Sequence, residues 1–262
     1  MKSHSDQFIY RQLTDDELTS FGDQGYHRYG PILTEAGVEQ MRAECMAAWT
    51  AEKLPFEPGK TWLHNSLLQN IHHKSSIVRN FYFAGPLVDV AEQIIGPNIK
   101  GVTTQLTFKL RGNTMEFGWH QDNGYGELDP YNAISCLTAL DDADEDNGCL
   151  MLIPGSIKRG QIDLGYVRTV EAKKADKEIN LKVDESDALP IPMKTGECLF
   201  FSCWTLHKSA GNHSKTRDRR ILFQRYADAD AVEVYNDRTP RLGRLLRGCT
   251  RYPEVKAFEV EL

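Results

Sequence analysis

This sequence has no long hydrophobic stretch. No apolar run approaches the roughly 18 residues that a membrane-spanning helix needs, so we expect no membrane span. Residues 1–6 also lack the apolar core of a secretory signal. An excess of basic charge is absent as well, because 31 Lys and Arg residues face 37 Asp and Glu residues and leave a net charge of −6. That balance leaves no excess of positive charge to attract a nucleic acid, and we expect no nucleic-acid partner.

The sequence also lacks a cysteine pattern typical of disulfide bonds or metal sites. The six cysteines are scattered without Cys-x-x-Cys spacing, and several lie in apolar, strand-like runs. We therefore expect reduced thiols and a cytoplasmic protein. The 262 residues contain no internal repeat, low-complexity tract or linker, and one domain of this length buries a substantial core. We predict a single domain over residues 1–262.

The N-terminal part, about residues 14–96, carries helix signals. Thr14 and Glu17 have the spacing of a capping box, and Thr34 is a candidate cap for a second helix. A third helix is predicted after Pro86, because apolar residues recur there until a Gly-Pro stop. We expect these helices to support a sheet and assign them no chemistry.

The pattern changes to short strands from about residue 100. Apolar segments rich in β-branched and aromatic residues lie at 102–110, 133–140, 149–153, 198–202 and 219–227. Many short strands with Gly and Pro turns favour an antiparallel sandwich or barrel. This mainly β core spans about 100–227 and is followed by a C-terminal tail at 228–262. We interpret 156–194 as an insertion, with a charged centre at 171–187 that forms a partly ordered loop near the mouth of the site.

The most informative motif is His-x-Asp at the end of a strand, formed by His120 and Asp122. Residues i and i+2 of a strand point to the same side, so both side chains can reach one ion. His207 is a second candidate imidazole. Two imidazoles and one carboxylate occupy one face of octahedral Fe(II) and leave three positions for a chelating co-substrate and O2. Alone, the motif is also typical of a hydrogen-bonded core histidine or a salt-bridged aspartate.

Five separated elements include or follow this motif in a fixed order. They are Trp119-His120-Gln121-Asp122, the segment Asn147-Gly148-Cys149-Leu150 with its Pro154-Gly155-Ser156 turn, Thr195-Gly196-Glu197, His207-Lys208-Ser209, and the run Arg217-Asp218-Arg219-Arg220. In type and order this series resembles the phytanoyl-CoA dioxygenase family of Fe(II)/2-oxoglutarate-dependent oxygenases, over residues 12–226. The resemblance implies a mainly β fold with flanking helices, the double-stranded β-helix or cupin-like jelly roll, in which the helices pack on one sheet.

The resemblance also implies a reaction. Fe(II) is the cofactor, 2-oxoglutarate and O2 are co-substrates, and an unactivated C–H bond of a small organic substrate is hydroxylated with release of succinate and CO2. His120, Asp122 and His207 match the metal ligands of the family. The carboxylate of Asp122 favours hydroxylation, because halogenating relatives have a small residue there and halide takes the vacant position.

An arginine binds the distal carboxylate of 2-oxoglutarate in this family, since its planar fork suits a carboxylate. Aligning the start of the strand after the second His selects Arg219. The spacing from His207 is one residue longer than in the family, so Arg217 and Arg220 remain open. Ser209 matches a hydroxyl that can bind the same carboxylate.

Two further positions match residues near the co-substrate. Lys109 matches a family lysine, although an exposed strand end is an equal alternative. Thr138 is assigned to the co-substrate site, beside Leu137, where the family often has Trp. Lys208 stands where family members often have Gly, a change that the sequence does not explain.

Substrate contacts are marked less clearly. Asn123 and Tyr125 follow the metal-binding strand toward the mouth and are candidates, with turn formation and lid packing as the alternatives. Arginines also recur every three residues in the tail. On a helix they would form a stripe that is either a solvated face or an anion site for a carboxylated or phosphorylated substrate. These residues are Arg238, Arg241, Arg244 and Arg247.

Two other functions fit parts of the pattern. A catalytically silent jelly roll could bind metal and a ligand as a sensor or scaffold, but the complete triad with Arg219 and Ser209 argues against it. A zinc hydrolase with two His and one carboxylate explains neither that Arg and Ser pair nor the Pro-Gly-Ser turn. The expected partner is a small-molecule substrate, and no oligomeric state is predicted.

Overall fold

The structure is a computed structural model that describes residues 6–52, 56–124, 127–162 and 180–262. Helices come first along the chain, and most of the strands follow. The helices are α1 (Asp15–Gln24), α2 (Glu35–Glu52), α3 (Trp62–Ser66), α4 (Ser76–Ala84), α5 (Pro86–Ile95) and α6 (Pro253–Ala257). Within these ranges no helix combines the length and the apolar character needed to cross a bilayer.

The strands are short and antiparallel. They are β1 (Tyr26–Pro31), β2 (Leu67–Gln69), β3 (Ile99–Lys109), β4 (Phe117–His120), β5 (Leu128–Asp129), β6 (Ala133–Ala139), β7 (Leu150–Leu152), β8 (Leu189–Ile191), β9 (Glu197–Ser202), β10 (His207–Ser209), β11 (Arg219–Asp228), β12 (Val232–Glu233), β13 (Thr239–Pro240) and β14 (Arg244–Arg247). All five predicted strand segments are confirmed, with ends shifted by a few residues at most.

The predicted helices are also confirmed, and their caps explain where they begin. The backbone N–H of Glu17 donates to the hydroxyl of Thr14, and the Glu17 carboxylate accepts from the Thr14 N–H in return. The Thr34 hydroxyl accepts from the N–H of Gly37 in the first turn of α2. Pro86 opens α5, where its missing N–H costs nothing. The helices α3 and α4 were not predicted.

Two sheets face each other across a cavity. The large sheet has the order β1-β9-β6-β11-β3-β14, with β2 also paired to β3, and the small sheet has the order β4-β10-β7-β8. A third, three-stranded sheet has the order β13-β12-β5. This architecture confirms the expected mainly β fold with flanking helices and has the two-sheet form of a jelly roll. The assignment of the whole chain to one domain stays a prediction.

The two faces of the large sheet have different partners. On β11, Leu222 and Tyr226 point into the core formed with α2, α4 and α5. Ile221 and Phe223 point the other way, toward the small sheet. Because successive side chains of a strand alternate, one face of β11 is fixed in the helix-packed core and the other is free to line the cavity.

Two predicted boundaries need correction. The N-terminal helical part contributes β1 and β2 to the large sheet. The tail after residue 228 is not separate from the core either, because β14 pairs with β3 and β12 pairs with β5. Both boundaries depend on pairing between strands that lie far apart in the sequence. Hydrophobic periodicity along the chain does not reveal such pairing.

The predicted insertion at 156–194 is ordered at both of its described ends. The strand β8 pairs with β7 at the edge of the small sheet. The N–H of Leu181 donates to the carbonyl of Trp119 on β4, 2.8 Å away. In the predicted loop at 171–187, residues 180–187 form a loop without helix or strand, and residues 171–179 lie outside the described part of the chain.

Close packing of α4 on β3 yields a stability prediction. A Cβ added at Gly101 would lie 2.6 Å from the Cζ and Oη atoms of Tyr82, a fully buried side chain. We expect Gly101→Ala to lower the unfolding free energy by about 1–3 kcal/mol through overpacking. Gly22→Ala in α1, where a Cβ meets nothing within 4 Å, should raise it by about 0.5–1 kcal/mol. Urea unfolding measures both changes. An unchanged midpoint for Gly101→Ala would contradict the described contact.

Candidate metal centre and co-substrate site

Three predicted metal ligands converge on one point between the sheets. His120 ends β4 and lies directly opposite His207, the first residue of β10. Asp122 Oδ1 lies 3.7 Å from His120 Nε2 and 3.6 Å from His207 Nε2. Asp122 stands past the end of β4, in a short 3-10 turn, so the prediction that it shares the strand with His120 is wrong. The turn, and not strand alternation, directs its carboxylate inward.

Backbone carbonyls orient both imidazoles. His120 Nδ1 lies 2.7 Å from the carbonyl of Gly118, and His207 Nδ1 lies 2.9 Å from the carbonyl of Thr205. A carbonyl only accepts, so each Nδ1 carries the proton and each Nε2 presents a lone pair to the shared point. Such carbonyl partners fix the tautomer of metal-binding histidines.

The electrostatics of the triad also fit a cation. Burial, together with neighbouring His207, lowers the pKa of His120 to about 3. Burial alone would raise the pKa of Asp122, but His207, Arg225 and His120 and a hydrogen bond from Ser135 hold it below its usual value. A neutral imidazole and an ionised carboxylate are the forms that bind Fe(II). The ligand atoms of the three buried residues all lie within 4.8 Å of one another.

A cavity of about 530 Å³ opens from this point. Apolar walls come from both sheets and from α3, and polar side chains, among them Arg219 and Arg225, also line the cavity. The lining includes Trp62, Phe117, Leu137, Leu150, Phe201, Thr107, Ser209, Arg219, Phe223, Arg225, Glu233, Tyr235 and Arg241. A concave, largely apolar cavity with a few charged groups is typical of a small-molecule site.

Arg219 points into this cavity and is buried. Its Nε and Nη2 donate to the carbonyl of Gly148 at 3.0 and 2.8 Å, and its Nη1 lies 3.1 Å from the Thr107 hydroxyl. Nη2 also donates to the hydroxyl of Ser209. Burial lowers the pKa of Arg219 to about 10, and no carboxylate among the described residues lies within ion-pair distance of it. A guanidinium held only by neutral acceptors is suited to bind an anionic ligand.

The two competing arginines point elsewhere. Arg217 is bidentate to Asp144, with distances of 2.7 and 2.9 Å, on the surface. Arg220 binds Asp141, and its guanidinium lies over the ring of Phe108 on the outer side of the sheet. Of the three candidates, Arg219 alone is brought to the cavity.

Lys109 lies beside Arg219, because the two residues are cross-strand partners. Its ammonium donates to the carbonyls of Ser209 and Ala210, and the side chain is fully buried. Burial, followed by the charge of Arg219, holds the pKa of Lys109 well below its usual value. The alternative of an exposed strand end is therefore wrong. Lys109 supports the backbone around Ser209 and does not line the cavity.

Thr138 requires a correction. Its hydroxyl lies 3.6 Å from the sulfur of Cys198, on the side of the large sheet that faces the helices. Its neighbour Leu137 lines the cavity instead. In a strand buried on both faces, apolar residues occur on either side, and the sequence does not reveal which side faces a ligand.

The candidate substrate residues also change. Asn123 is buried and accepts a hydrogen bond from Nη2 of Arg225. It does not line the cavity, so the proposal of direct substrate contact is not supported, and Arg225 takes its place there. Tyr125 lies outside the described residues. Sequence reasoning missed Arg225, although its even spacing from Arg219 on one strand was a usable signal.

The arginines of the tail do not form a helical stripe. The segment consists of β13, β14 and connecting turns. Arg241 alone among them lines the cavity, and it pairs with Glu233 at 2.7 Å. Its neighbours pair elsewhere. Arg238 contacts Asp129, Arg244 donates to the Glu259 and Leu262 carbonyls, and Arg247 contacts Asp89.

The structure accounts for Lys208. Its ammonium lies 2.9 and 2.8 Å from the two carboxylate oxygens of Glu185, in the described end of the insertion. The same carboxylate accepts from the indole N–H of Trp119 at 2.8 Å. The side chain that replaces the usual Gly therefore fastens the inserted segment to the strands that carry the histidines.

Comparison with known proteins agrees with this geometry. The profile of the phytanoyl-CoA dioxygenase (PhyH) family matches residues 21–221. A methylphosphonate hydroxylase of Gimesia maris is 28% identical over 85% of this chain and 85% of its own. An ectoine dioxygenase of Bordetella bronchiseptica is 26% identical over 76% of this chain and 72% of its own.

Solved structures show the same fold. The non-heme monooxygenase ThoJ, without ligand, superposes with a TM-score of 0.69 and 23% identity, over 90% of this chain and 85% of its own. The alpha-ketoglutarate-dependent carbocyclase SnoK from nogalamycin biosynthesis gives 0.70 and 19%, over 88% and 94%. At these identities the likeness concerns the fold alone, whereas the profile covers most of the sequence. The chain belongs to the phytanoyl-CoA dioxygenase family of Fe(II)/2-oxoglutarate-dependent oxygenases.

Proposed function

We propose that the protein hydroxylates an unactivated C–H bond of a small, anionic organic substrate, with 2-oxoglutarate and O2 as co-substrates and succinate and CO2 as products. His120, Asp122 and His207 hold Fe(II). The observation that carries the proposal is that this triad opens into one cavity together with the guanidinium of Arg219, which no carboxylate of the described residues neutralises. An experiment on 2-oxoglutarate-dependent O2 uptake over a panel of substrates tests it.

Each part of the cavity has a separate task in this proposal. Fe(II) with bound 2-oxoglutarate supplies the oxidising chemistry. Arg219 and the Ser209 hydroxyl bind the distal carboxylate of 2-oxoglutarate, and Thr107 holds the guanidinium in place. Leu137 and Leu150 form an apolar wall beside the carbon chain of 2-oxoglutarate and exclude water.

The alternative, a catalytically silent jelly roll, has less support. A sensor or scaffold needs no complete set of three oriented ligands beside a buried arginine that only neutral groups of the described residues contact. Here the lone pairs of His120 and His207 and the carboxylate of Asp122 meet at one point. Retaining such mutually repelling donors is costly unless a cation binds them.

Substrate class, partners and location are extensions of the proposal. The relatives named methylphosphonate hydroxylase and ectoine dioxygenase support a small, charged substrate. The cysteines of the described residues are free thiols, which supports a reducing, cytoplasmic location. The net charge of −6 supports the absence of a nucleic-acid partner.

Binding of Fe(II) by the triad gives a first prediction. With Fe(II) and 2-oxoglutarate under anaerobic conditions, we expect a weak visible charge-transfer band. His207→Ala should abolish the band, because it removes one of the two imidazole ligands. His213→Ala is the matched control, since His213 is exposed. A band of full strength in His207→Ala would remove this residue from the metal centre.

The co-substrate clamp gives a second prediction. Arg219→Leu should raise the 2-oxoglutarate requirement about 10- to 100-fold, because a charge-assisted hydrogen bond is worth about 1.5–3 kcal/mol. Fe(II) binding should stay near normal. Arg217→Leu and Arg220→Leu should have little effect, since both side chains pair with carboxylates outside the cavity. Titration of the charge-transfer band with 2-oxoglutarate compares the three. A larger defect in either control would move the clamp to that residue.

A third prediction concerns halide. The carboxylate of Asp122 fills the position that chloride would need, so the wild-type protein should release hydroxylated product only, even in saturating chloride. Mass spectrometry of the product distinguishes the two outcomes. Chlorinated product would mean that Asp122 leaves the metal during turnover.

A further inference from the structure

Three arginines line the cavity, and their charges are compensated differently. Arg241 pairs with Glu233 at 2.7 Å. Arg219 is assigned to the co-substrate. Arg225 is only 9% exposed, and no carboxylate in the described part of the chain lies within ion-pair distance of its guanidinium. The charge of Arg225 acts on Asp122 from beyond ion-pair distance, but that carboxylate is assigned to the metal, so an anionic ligand would still stabilise the buried guanidinium.

Hydrogen bonding around Arg225 is also incomplete. Its Nη2 donates to Oδ1 of Asn123, which fixes the orientation of that amide. Nε of Arg225 and Nδ2 of Asn123 are buried donors that find no acceptor among the described residues. An unmade hydrogen bond at a buried donor is costly, and native proteins rarely retain one without a reason. Arg225 lines the cavity, so its unused Nε donor, beside a full positive charge, matches an oxyanion bound there.

The position of Arg225 places that oxyanion close to the metal centre. Arg225 on β11 lies directly opposite Ser135 on β6. The Ser135 hydroxyl donates to Oδ2 of Asp122, the carboxylate ligand. Directly opposite side chains have Cβ atoms about 4.5–5.5 Å apart. The side chain of Ser135 therefore lies between β11, which carries Arg225, and the metal ligand Asp122.

We propose that Arg225 binds the oxyanion of the substrate, and that the substrate is a short-chain carboxylate or phosphonate oxidised within a few bonds of that group. Asn123 is a positioning residue that orients the guanidinium. The C–H bond becomes C–OH with one atom of O2, and the other atom oxidises 2-oxoglutarate to succinate and CO2. This inference rests on the proposed function and adds the chemistry by which the substrate is recognised.

Two other roles for Arg225 would give different experimental results. If it only positioned the turn of Asp122 through Asn123, its loss would weaken the metal centre. If it bound the second carboxylate of 2-oxoglutarate, its loss would raise the 2-oxoglutarate requirement. Neither role would make the protein select charged over neutral substrates.

The experiment begins with protein loaded anaerobically with Fe(II) and 2-oxoglutarate, as judged by the charge-transfer band. Calorimetric titrations then use acetate, propionate, methylphosphonate and ethylphosphonate, with ethanol as the neutral probe. The wild type should bind at least one oxyanion and not ethanol. The carboxylate and phosphonate arms identify which oxyanion is preferred.

Arg225→Met should weaken that binding at least about 10-fold and leave the band and its 2-oxoglutarate midpoint unchanged. Arg225→Lys should recover part of the affinity, because it keeps the charge and loses the planar fork. Arg238→Met is the matched control, since Arg238 lies outside the cavity and pairs with Asp129. Its titrations should equal those of the wild type.

Several results would overturn the inference. They are wild-type protein that binds none of the oxyanions, Arg225→Met protein that binds them as tightly as the wild type, and a displaced band or 2-oxoglutarate midpoint in Arg225→Met. A wild type without any band would defeat the proposed function instead. Titrating the unloaded wild type and Arg225→Met would then still decide whether Arg225 binds the oxyanion.

Discussion

The pairing of β4 with β10 is the constraint on which the rest of the site depends. It sets His120 directly opposite His207. Each imidazole is then held by the carbonyl two residues earlier, that of Gly118 or Thr205. The strand β10 is held from its other side by β7. Four residues of ladder therefore fix two ligands, and Asp122 needs only one tight turn to complete the set.

Charge compensation explains what the cavity is suited to bind. Among the described residues that line it, three arginines face two carboxylates, those of Asp122 and Glu233, and the apolar walls keep the local dielectric low. Under these conditions an anion gains more from a guanidinium than it would at the surface. The surroundings of the two arginines differ, because Arg219 is held by hydroxyl and carbonyl acceptors whereas Arg225 is hydrogen-bonded to an amide. This difference supports the proposal that the co-substrate and the substrate bind as two anions in separate places.

Sequence reasoning predicted those features that depend on local order. The ligand triad follows from motif order, Arg219 follows from motif order and strand alternation, and the capped helices follow from their first turns. Features set by distant contacts could not be predicted. Lys208 is explained only by Glu185, which the fold brings to it. Thr138 was assigned to the wrong face, because both faces of its strand are buried. The arginines of the tail recur with a period close to that of a helix, yet long-range pairing makes strands of that segment.

The alternation of β11 has a consequence for how the protein reaches its native state. Arg219 and Arg225 share one face, while Leu222 and Tyr226 share the other, which packs under the helices. A slip of one residue in the pairing of β11 would exchange the two faces. It would bury two guanidinium groups in hydrocarbon and present a leucine and a tyrosine to the cavity. The charges that we propose to bind ligands in the folded enzyme therefore also penalise the nearest misregistered fold, so the proposed function and the accuracy of folding depend on the same two side chains.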